Sequence, residues 1–317
     1  MILTKLLILL FFLTSCLRTA PTPIRIAINT WPGYEYLYLA QEKGFFKEAG
    51  LDVHLKEFTT VGDAKRAYER GQADILPGTL SELLLLGTTQ GRDIVTFFVI
   101  DYSNGGDVIV ARKDISSIKQ LKGKKIGVEI ASPGPYLLFR ALEKNSMAFK
   151  DVAPIHVSLA QMTTVLQEGK IEAMVSYPPF ITELLKKTDF KIIFSSREIP
   201  GEIVDVLMAE REFLKSRRKE IIALLQAYKK AQEYAKANSA ESYRIMAQRE
   251  NILPEDLKKS MEQDIKMVSY EGQAPFLMEH GILSKILPGI EKIMRETGQL
   301  TNAISIEKMV YSDFFDR

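Results

Sequence analysis

Cysteine, tryptophan and histidine are nearly missing from this 317-residue chain, which has one Cys, one Trp and three His. A lone cysteine excludes a disulfide scaffold and any multi-cysteine metal or iron–sulfur site. His54, His156 and His280 stand far apart, and none has the spaced partner that a metal site needs. No metal and no cofactor is expected. A surplus of one charge is missing as well: 42 Lys and Arg face 40 Asp and Glu. That balance gives no reason to expect nucleic acid. There is also no P-loop, no dinucleotide glycine fingerprint and no nucleophile elbow. An enzyme is not expected.

Long apolar runs are scarce, and the one that stands out is residues 6–13, LLILLFFL, behind Lys5. It is too short to span a bilayer as a helix, which takes about 20 residues, so it reads as an export signal. Leu13-Thr14-Ser15-Cys16 sets small residues before the only cysteine and resembles the bacterial lipobox. There the Cys becomes the first residue of the mature chain and carries lipid. Expected, then, are a lipoprotein signal peptide over residues 1–16, a tether over 17–23 and membrane attachment through Cys16. Each buried acyl CH₂ adds about 0.8 kcal/mol to such an anchor.

What is present is ample core material, 46% hydrophobic residues, in a length that suggests about two domains. Strand-like and helix-like segments alternate. Residues 24–28, 51–58, 74–76 and 94–100 read as strands, with helical patterns over 34–48 and 61–71 and a helix opening at PGTLS. The run 94–100 is apolar throughout, the mark of a strand covered on both faces. Alternation of this kind predicts an α/β layered unit with a mostly parallel sheet. From about residue 107, strands are expected at 108–111, 125–129, 155–159, 171–176 and 191–195. Helices are expected after SPGP and over 161–168 and 180–187. A strand returns at 204–209, and the remainder is helical, with apolar stripes at Leu224, Tyr228 and Ala231 and at Leu257, Met261 and Ile265. A last helix spans 282–297, and the basic stretch 211–219 reads as a solvated helix start.

The middle unit therefore looks inserted into a discontinuous first one. One lobe would comprise residues 24–103 and 205–317, the other 104–204. Two crossings would form a hinge, with a ligand cleft between the lobes. In open α/β sheets ligands sit beyond the strand ends where helix N-termini point. Four stretches fit: Asn29-Thr30-Trp31-Pro32-Gly33-Tyr34, Pro77-Gly78-Thr79-Leu80-Ser81, Ile130-Ala131-Ser132-Pro133-Gly134 and Ser176-Tyr177-Pro178-Pro179. Each offers hydroxyl or small residues and free backbone N–H groups.

In order along the chain run WPGYEYLYLAQEKGFFKEAGLDVHLKEF, GQADILPGTLSELLLL, VIDYSNGGDVIVAR, LKGKKIGVE, SPGPYLL and PGEIVDVL. Together they resemble the solute-binding lipoproteins of bacterial ABC importers, in the nitrate/sulfonate/taurine and thiamine-pyrimidine-precursor superfamily. The resemblance covers residues 24–209. It implies the type II periplasmic-binding fold: two α/β lobes joined by a two-strand hinge around a cleft. It also implies an exported, membrane-anchored monomer that hands a small solute to an ABC permease and its ATPase. Trp31 and Tyr34 would wall the cleft, with Thr79, Ser132 and Tyr177 at the helix starts. Asp101, Ser103 and Asn104 would lie on the first crossing, and Asp205 on the return would face ligand or bond hinge backbone. Many relatives carry a carboxylate after the aromatic, where here Tyr177 is followed by Pro178.

Charge leaves the ligand class open. Helix N-termini favour anions, yet Glu35, Asp101, Asp107, Glu129 and Asp205 fall near the expected mouth, with Arg112 and Arg140 the nearby basic residues. A sulfonate or nitrate, and an amino-heterocycle such as a pyrimidine, are both candidates. Two other functions compete. One is a ligand-sensing partner of a membrane receptor. The other is a pyrimidine-synthase-like enzyme; such synthases resemble this chain but carry a cysteine-rich iron motif it does not have.

Overall fold

The computed structural model describes residues 22–89, 91–130 and 132–315. The signal segment and Cys16 lie outside the described residues. Eleven strands are present there: β1 (Ile24–Asn29), β2 (Val53–Phe58), β3 (Ile75–Thr79), β4 (Ile94–Ser103), β5 (Val108–Arg112), β6 (Lys125–Val128), β7 (Ala153–His156), β8 (Ala173–Ser176), β9 (Phe190–Ser195), β10 (Val204–Glu210) and β11 (Ile265–Met267). They form a six-stranded sheet in the order β11-β4-β10-β3-β1-β2 and a five-stranded sheet in the order β7-β6-β8-β5-β9. Each is the core of an α/β lobe. The chain leaves the first sheet from β4 into β5 and comes back from β9 into β10.

Both sheets are mixed rather than mostly parallel. β10 inserts between β3 and β4 antiparallel to both, while β1 pairs in parallel with β2 and β3. In the second sheet β6 is parallel to β7 and β8, and β5 is antiparallel to β8 and β9. Strands covered on both faces carry apolar residues at successive positions. Accordingly Ile26, Ala27 and Ile28 of β1 and Phe97 to Ile100 of β4 are all fully buried. The helix Arg218–Ala237 lays Leu224, Tyr228 and Ala231 onto the first sheet's core.

Three further expectations change. Residues 180–187 form hydrogen-bonded turns instead of a helix. Pro178 and Pro179 offer no N–H, and the bonds mix spacings: Thr182 N–H to Pro179 C=O, Leu185 to Ile181, Lys187 to Leu184. The strand expected at 155–159 sits earlier, as β7, because Leu159 already opens the helix Leu159–Gln167. The Leu257–Met261–Ile265 stripe splits. A helix over Pro254–Lys259 widens into a π-turn at Ser260–Asp264, and Ile265 begins β11, opposite Ser103. The Asp264 carbonyl accepts from the N–H groups of Asn104 and Gly106, which fixes this edge strand against the crossing. The basic stretch 211–219 does open a helix, Arg211–Ser216, with Lys215, Arg218 and Lys219 exposed, and its arginines also bond groups elsewhere in the fold. Arg211 pairs with Asp93 at 2.7 Å, Arg217 donates to the Thr22 and Pro23 carbonyls, and Arg218 donates to that of Asp313.

Candidate functional site

The C-terminal ends of β1 and β3 and the first residues of β5 and β10 converge between the lobes. β1 ends at Asn29. Trp31 follows in an extended conformation, and the turn Pro32–Tyr34 leads into the helix Glu35–Glu42. β3 ends at Thr79, which caps the helix Leu80–Leu86 in a reciprocal capping box with Glu82. Asp205 lies in register with Thr79 on one side and Asp101 on the other. The second lobe contributes Asp107, Pro133 and Tyr177. These groups, with Val61, enclose a cavity of about 20 Å³, room for one water molecule.

The cavity wall is aromatic on both sides. Trp31 is 5% exposed, and its ring meets Tyr177 edge-on, centroids 5.4 Å apart at 84°. The two rings come from opposite lobes. Trp31 Nε1 donates to Asp101 Oδ2 at 3.2 Å, and the Tyr34 hydroxyl donates to Asp205 Oδ1. Glu82 Oε2 accepts from Thr79 N at 2.7 Å and from Thr79 Oγ1 at 2.6 Å.

Acceptors exceed donors. Asn29 Oδ1, Glu82 Oε1, Asp101 Oδ1 and the Tyr177 hydroxyl, with Glu129 Oε2 nearby, are buried and without a partner among the described residues. None of the cavity-lining residues is basic. Burial raises Glu82 to about 7 against the donations of Thr79, and raises Asp107 to about 6 and Glu129 to about 7. Asp101 and Asp205 are pushed well above the usual carboxylate range by burial, and Asp205 further by the charge of Asp101. Burial and the surrounding carboxylates likewise push up the Tyr34 and Tyr177 hydroxyls. Arg112 and Arg140 do not compensate. Arg112 pairs with Asp114 at 3.3 Å, and Arg140 with Glu202 at 2.7 Å and with Glu143.

Of the residues singled out by sequence, Trp31, Tyr34, Thr79, Tyr177 and Asp205 line the cavity, and Asp101 stands behind Trp31. Three do not reach it. Ser103 Oγ bonds Ser196 Oγ at 2.7 Å and accepts the Asp107 N–H. Asn104 is engaged through its backbone, to the Asp264 carbonyl and from Arg197 Nε. Ser132 Oγ donates to the Glu129 carbonyl at 2.8 Å and accepts from Gly134 N. These groups order the crossing and a loop. Glu35 turns away from the cavity to Arg249. Sequence reasoning missed Glu82, although Thr79-Leu80-Ser81-Glu82 carries the capping-box spacing.

Gly33 permits the close approach of this turn to Asp101. A Cβ there would lie 1.8 Å from Asp101 Oδ2 and 2.7 Å from Trp31 Nε1. Gly33→Ala is expected to break the Trp31–Asp101 bond while leaving far-ultraviolet circular dichroism unchanged. Emission of the single tryptophan reads this directly: an unchanged spectrum would show that the turn absorbs the methyl elsewhere.

The family described as NMT1/THI5 like matches residues 31–242. YtlA of Bacillus subtilis (strain 168) is 28% identical over 323 residues, covering 98% of this chain and 94% of that protein. The 4-amino-5-hydroxymethyl-2-methylpyrimidine phosphate synthase THI5 of Saccharomyces cerevisiae is 23% identical over 279 residues, 82% of this chain and 75% of that one. In three dimensions the fold resembles the periplasmic aliphatic sulphonate binding protein SsuA from Escherichia coli. The TM-score is 0.75 and the identity 17%, with 93% of this chain and all of that one covered. On the match that runs from Trp31 across both lobes, this chain belongs to the NMT1/THI5-like family, built on the bilobal periplasmic-binding fold.

Proposed function

We propose that the protein is an extracytoplasmic solute-binding component that traps a small solute between its lobes and delivers it to an ABC importer, held at the membrane through Cys16. The observation that carries this is the convergence of unpartnered, buried polar groups on one aromatic-walled cavity, the acceptors Asn29 Oδ1 and Glu82 Oε1 from the first lobe and the Tyr177 hydroxyl from the second. Buried polar groups demand partners, and here a ligand with donors supplies them. A carboxylate wall without a basic residue repels nitrate and sulfonate, so an amino-bearing solute such as an aminopyrimidine fits better. SsuA, named for sulphonates, thus supports the architecture of capture and not the ligand.

Solute capture of this kind includes no catalytic step. His54, His156 and His280 do not line the cavity. A ligand moves an open–closed equilibrium only by its differential affinity for the two states. Capture needs nothing more.

The test is a thermal-shift screen of the mature, delipidated protein against aminopyrimidines, amines, sulfonates and nitrate. A ligand at about 100 times its Kd stabilises by about 2.7 kcal/mol. The same compound should shift Trp31 emission and lower the radius of gyration in solution scattering. A compound converted to product by the protein alone, or lobes that never close on any compound, would refute this function.

A further inference from the structure

We propose that the solute is an organic cation, and that it enters the cleft in exchange for a proton carried by the carboxylate pair Asp101 and Asp205. This rests on the solute-binding function above and adds the chemistry of the cargo.

Asp101 and Asp205 are direct partners across the antiparallel β4–β10 ladder, where like charges facing one another are disfavoured. Both are buried. Their hydrogen-bond donors, Trp31 Nε1 and the Tyr34 hydroxyl, are neutral. All four residues belong to the first lobe, so the pair and its two donors stay together whether the lobes are apart or together. A proton is the smallest positive charge that can relieve it.

The groups around the pair offer no other relief. Glu82 faces it from the helix Leu80–Leu86, Asp107 from the crossing and Tyr177 from the second lobe. Thr79 of β3 and Met267 of β11 are the register partners on either side. Lys266 pairs in register with Tyr102 and is exposed. Asp101, Asp107, Asp205 and Glu82 are all raised, by burial first and then, for Asp205, by its acidic neighbours.

An independent pointer is that Asn29 Oδ1 and the Tyr177 hydroxyl, buried side-chain atoms of cavity-lining residues, also lack partners. An organic cation with N–H groups satisfies these and the carboxylates together. Among the described residues no group of carboxylates is placed to hold a metal ion. The exchange balances: the singly protonated pair carries one negative charge. When the proton leaves for solvent the pair carries two, and the incoming cation restores the net charge of the cleft. A neutral solute leaves the proton in place, and an anion requires more protons to be taken up.

Isothermal titration calorimetry on the mature protein, in two buffers of different ionisation heat at pH 6.5, counts the protons. The probes are 4-amino-5-hydroxymethyl-2-methylpyrimidine, agmatine and choline against uracil and taurine. A neutral base that takes over the pair's proton releases none to solvent, so the expected result is read on probes already cationic in solution: the tightest of them releases about one proton. Its Kd should tighten by up to about tenfold per pH unit between pH 5.5 and 7. Asp101→Asn and Asp205→Asn, both close in shape to the parent, should each abolish the release and flatten the pH profile. Closure on uracil or taurine as tightest binder overturns the cation and leaves solute capture standing. A probe already cationic in solution that binds without proton release in either buffer overturns the exchange. Failure of every probe to close the lobes counts against solute capture itself, and the inference falls with it.

Discussion

Arg249→Met is expected to lower the melting temperature by on the order of 10 °C at pH 8 and by clearly less at pH 5. Arg249 closes the helix Ser239–Glu250 onto the first lobe and is 3% exposed, beside a Glu35 that is fully buried. Its Nη1 donates to Glu35 Oε1, its Nη2 to the Asn29 carbonyl at 3.1 Å, and Glu250 lies 3.6 Å away. Two buried carboxylates thus share one guanidinium. Burial pushes Glu250 well above the usual range, and the nearby Glu35 charge adds to this. In its protonated form Glu250 can donate to Glu35. Removing the cation from such a pair costs about 3–5 kcal/mol, because the remaining charge stays buried and uncompensated.

The sign of the pH dependence follows from Glu35. Its carboxyl is raised already, by burial against the opposing pull of Arg249, and without Arg249 it rises further. A carboxyl raised in the folded state contributes stability that is full below its unfolded value and lost as pH climbs through the folded one. The deficit of Arg249→Met therefore grows from pH 5 to pH 8. Glu250→Gln, which keeps a donor for Glu35, should be close to neutral. Equal losses for Arg249→Met at both pH values would show that packing of the side chain, not charge, holds this helix. Because Arg249 also holds the Asn29 carbonyl, its loss should loosen the β1 end that supports Trp31.

Much of this architecture was legible because it is repeated along the chain. The apolar run 94–100 announced a strand covered on both faces, and β4 runs from Ile94 to Ser103. The aromatic and hydroxyl residues at strand ends, Trp31, Tyr34, Thr79 and Tyr177, were visible for the same reason: each follows a strand and opens a turn or helix. What failed to show has a physical cause. β11 is three residues long, too short for any period to register, and it is held by its ladder to β4 and by the Asp264 carbonyl at the crossing. Ser103 and Ser132 have the right chemistry to meet a ligand, but nearby backbone groups compete for the same hydroxyls. Glu35 follows Tyr34 in sequence, yet successive helical residues point about 100° apart. That rotation carries it from the cleft to an arginine 214 positions later. The difference between a ligand carboxylate and a structural one was therefore set by a distant partner, which no local pattern reports.

Trp31→Ala should weaken binding of the solute by about 30- to 1000-fold, the range of 2–4 kcal/mol typical of a buried aromatic anchor. Two contributions are lost together. The indole forms the first lobe's share of the aromatic wall, against Tyr177 of the second, and its Nε1 is the N–H donor bound to Asp101. Without it the carboxylate pair faces a wetter cavity, and the lobes lose a contact made only when they meet. The indole also packs at the crossing, where a Cβ on Gly106 would come within 2.9 Å of Trp31 Cη2. Closure and capture thus pass through one side chain. Trp31→Phe separates the two roles: it keeps an aromatic wall and removes the N–H. A Phe variant close to the parent would assign the effect to the wall; one as weak as alanine would assign it to the bond with Asp101. Part of the burial of Trp31 comes from the second lobe, so this variant should affect ligand-dependent melting far more than melting of the protein alone. Binding that survives Trp31→Ala unaltered would take the indole out of the site and with it the aromatic wall on which solute capture depends.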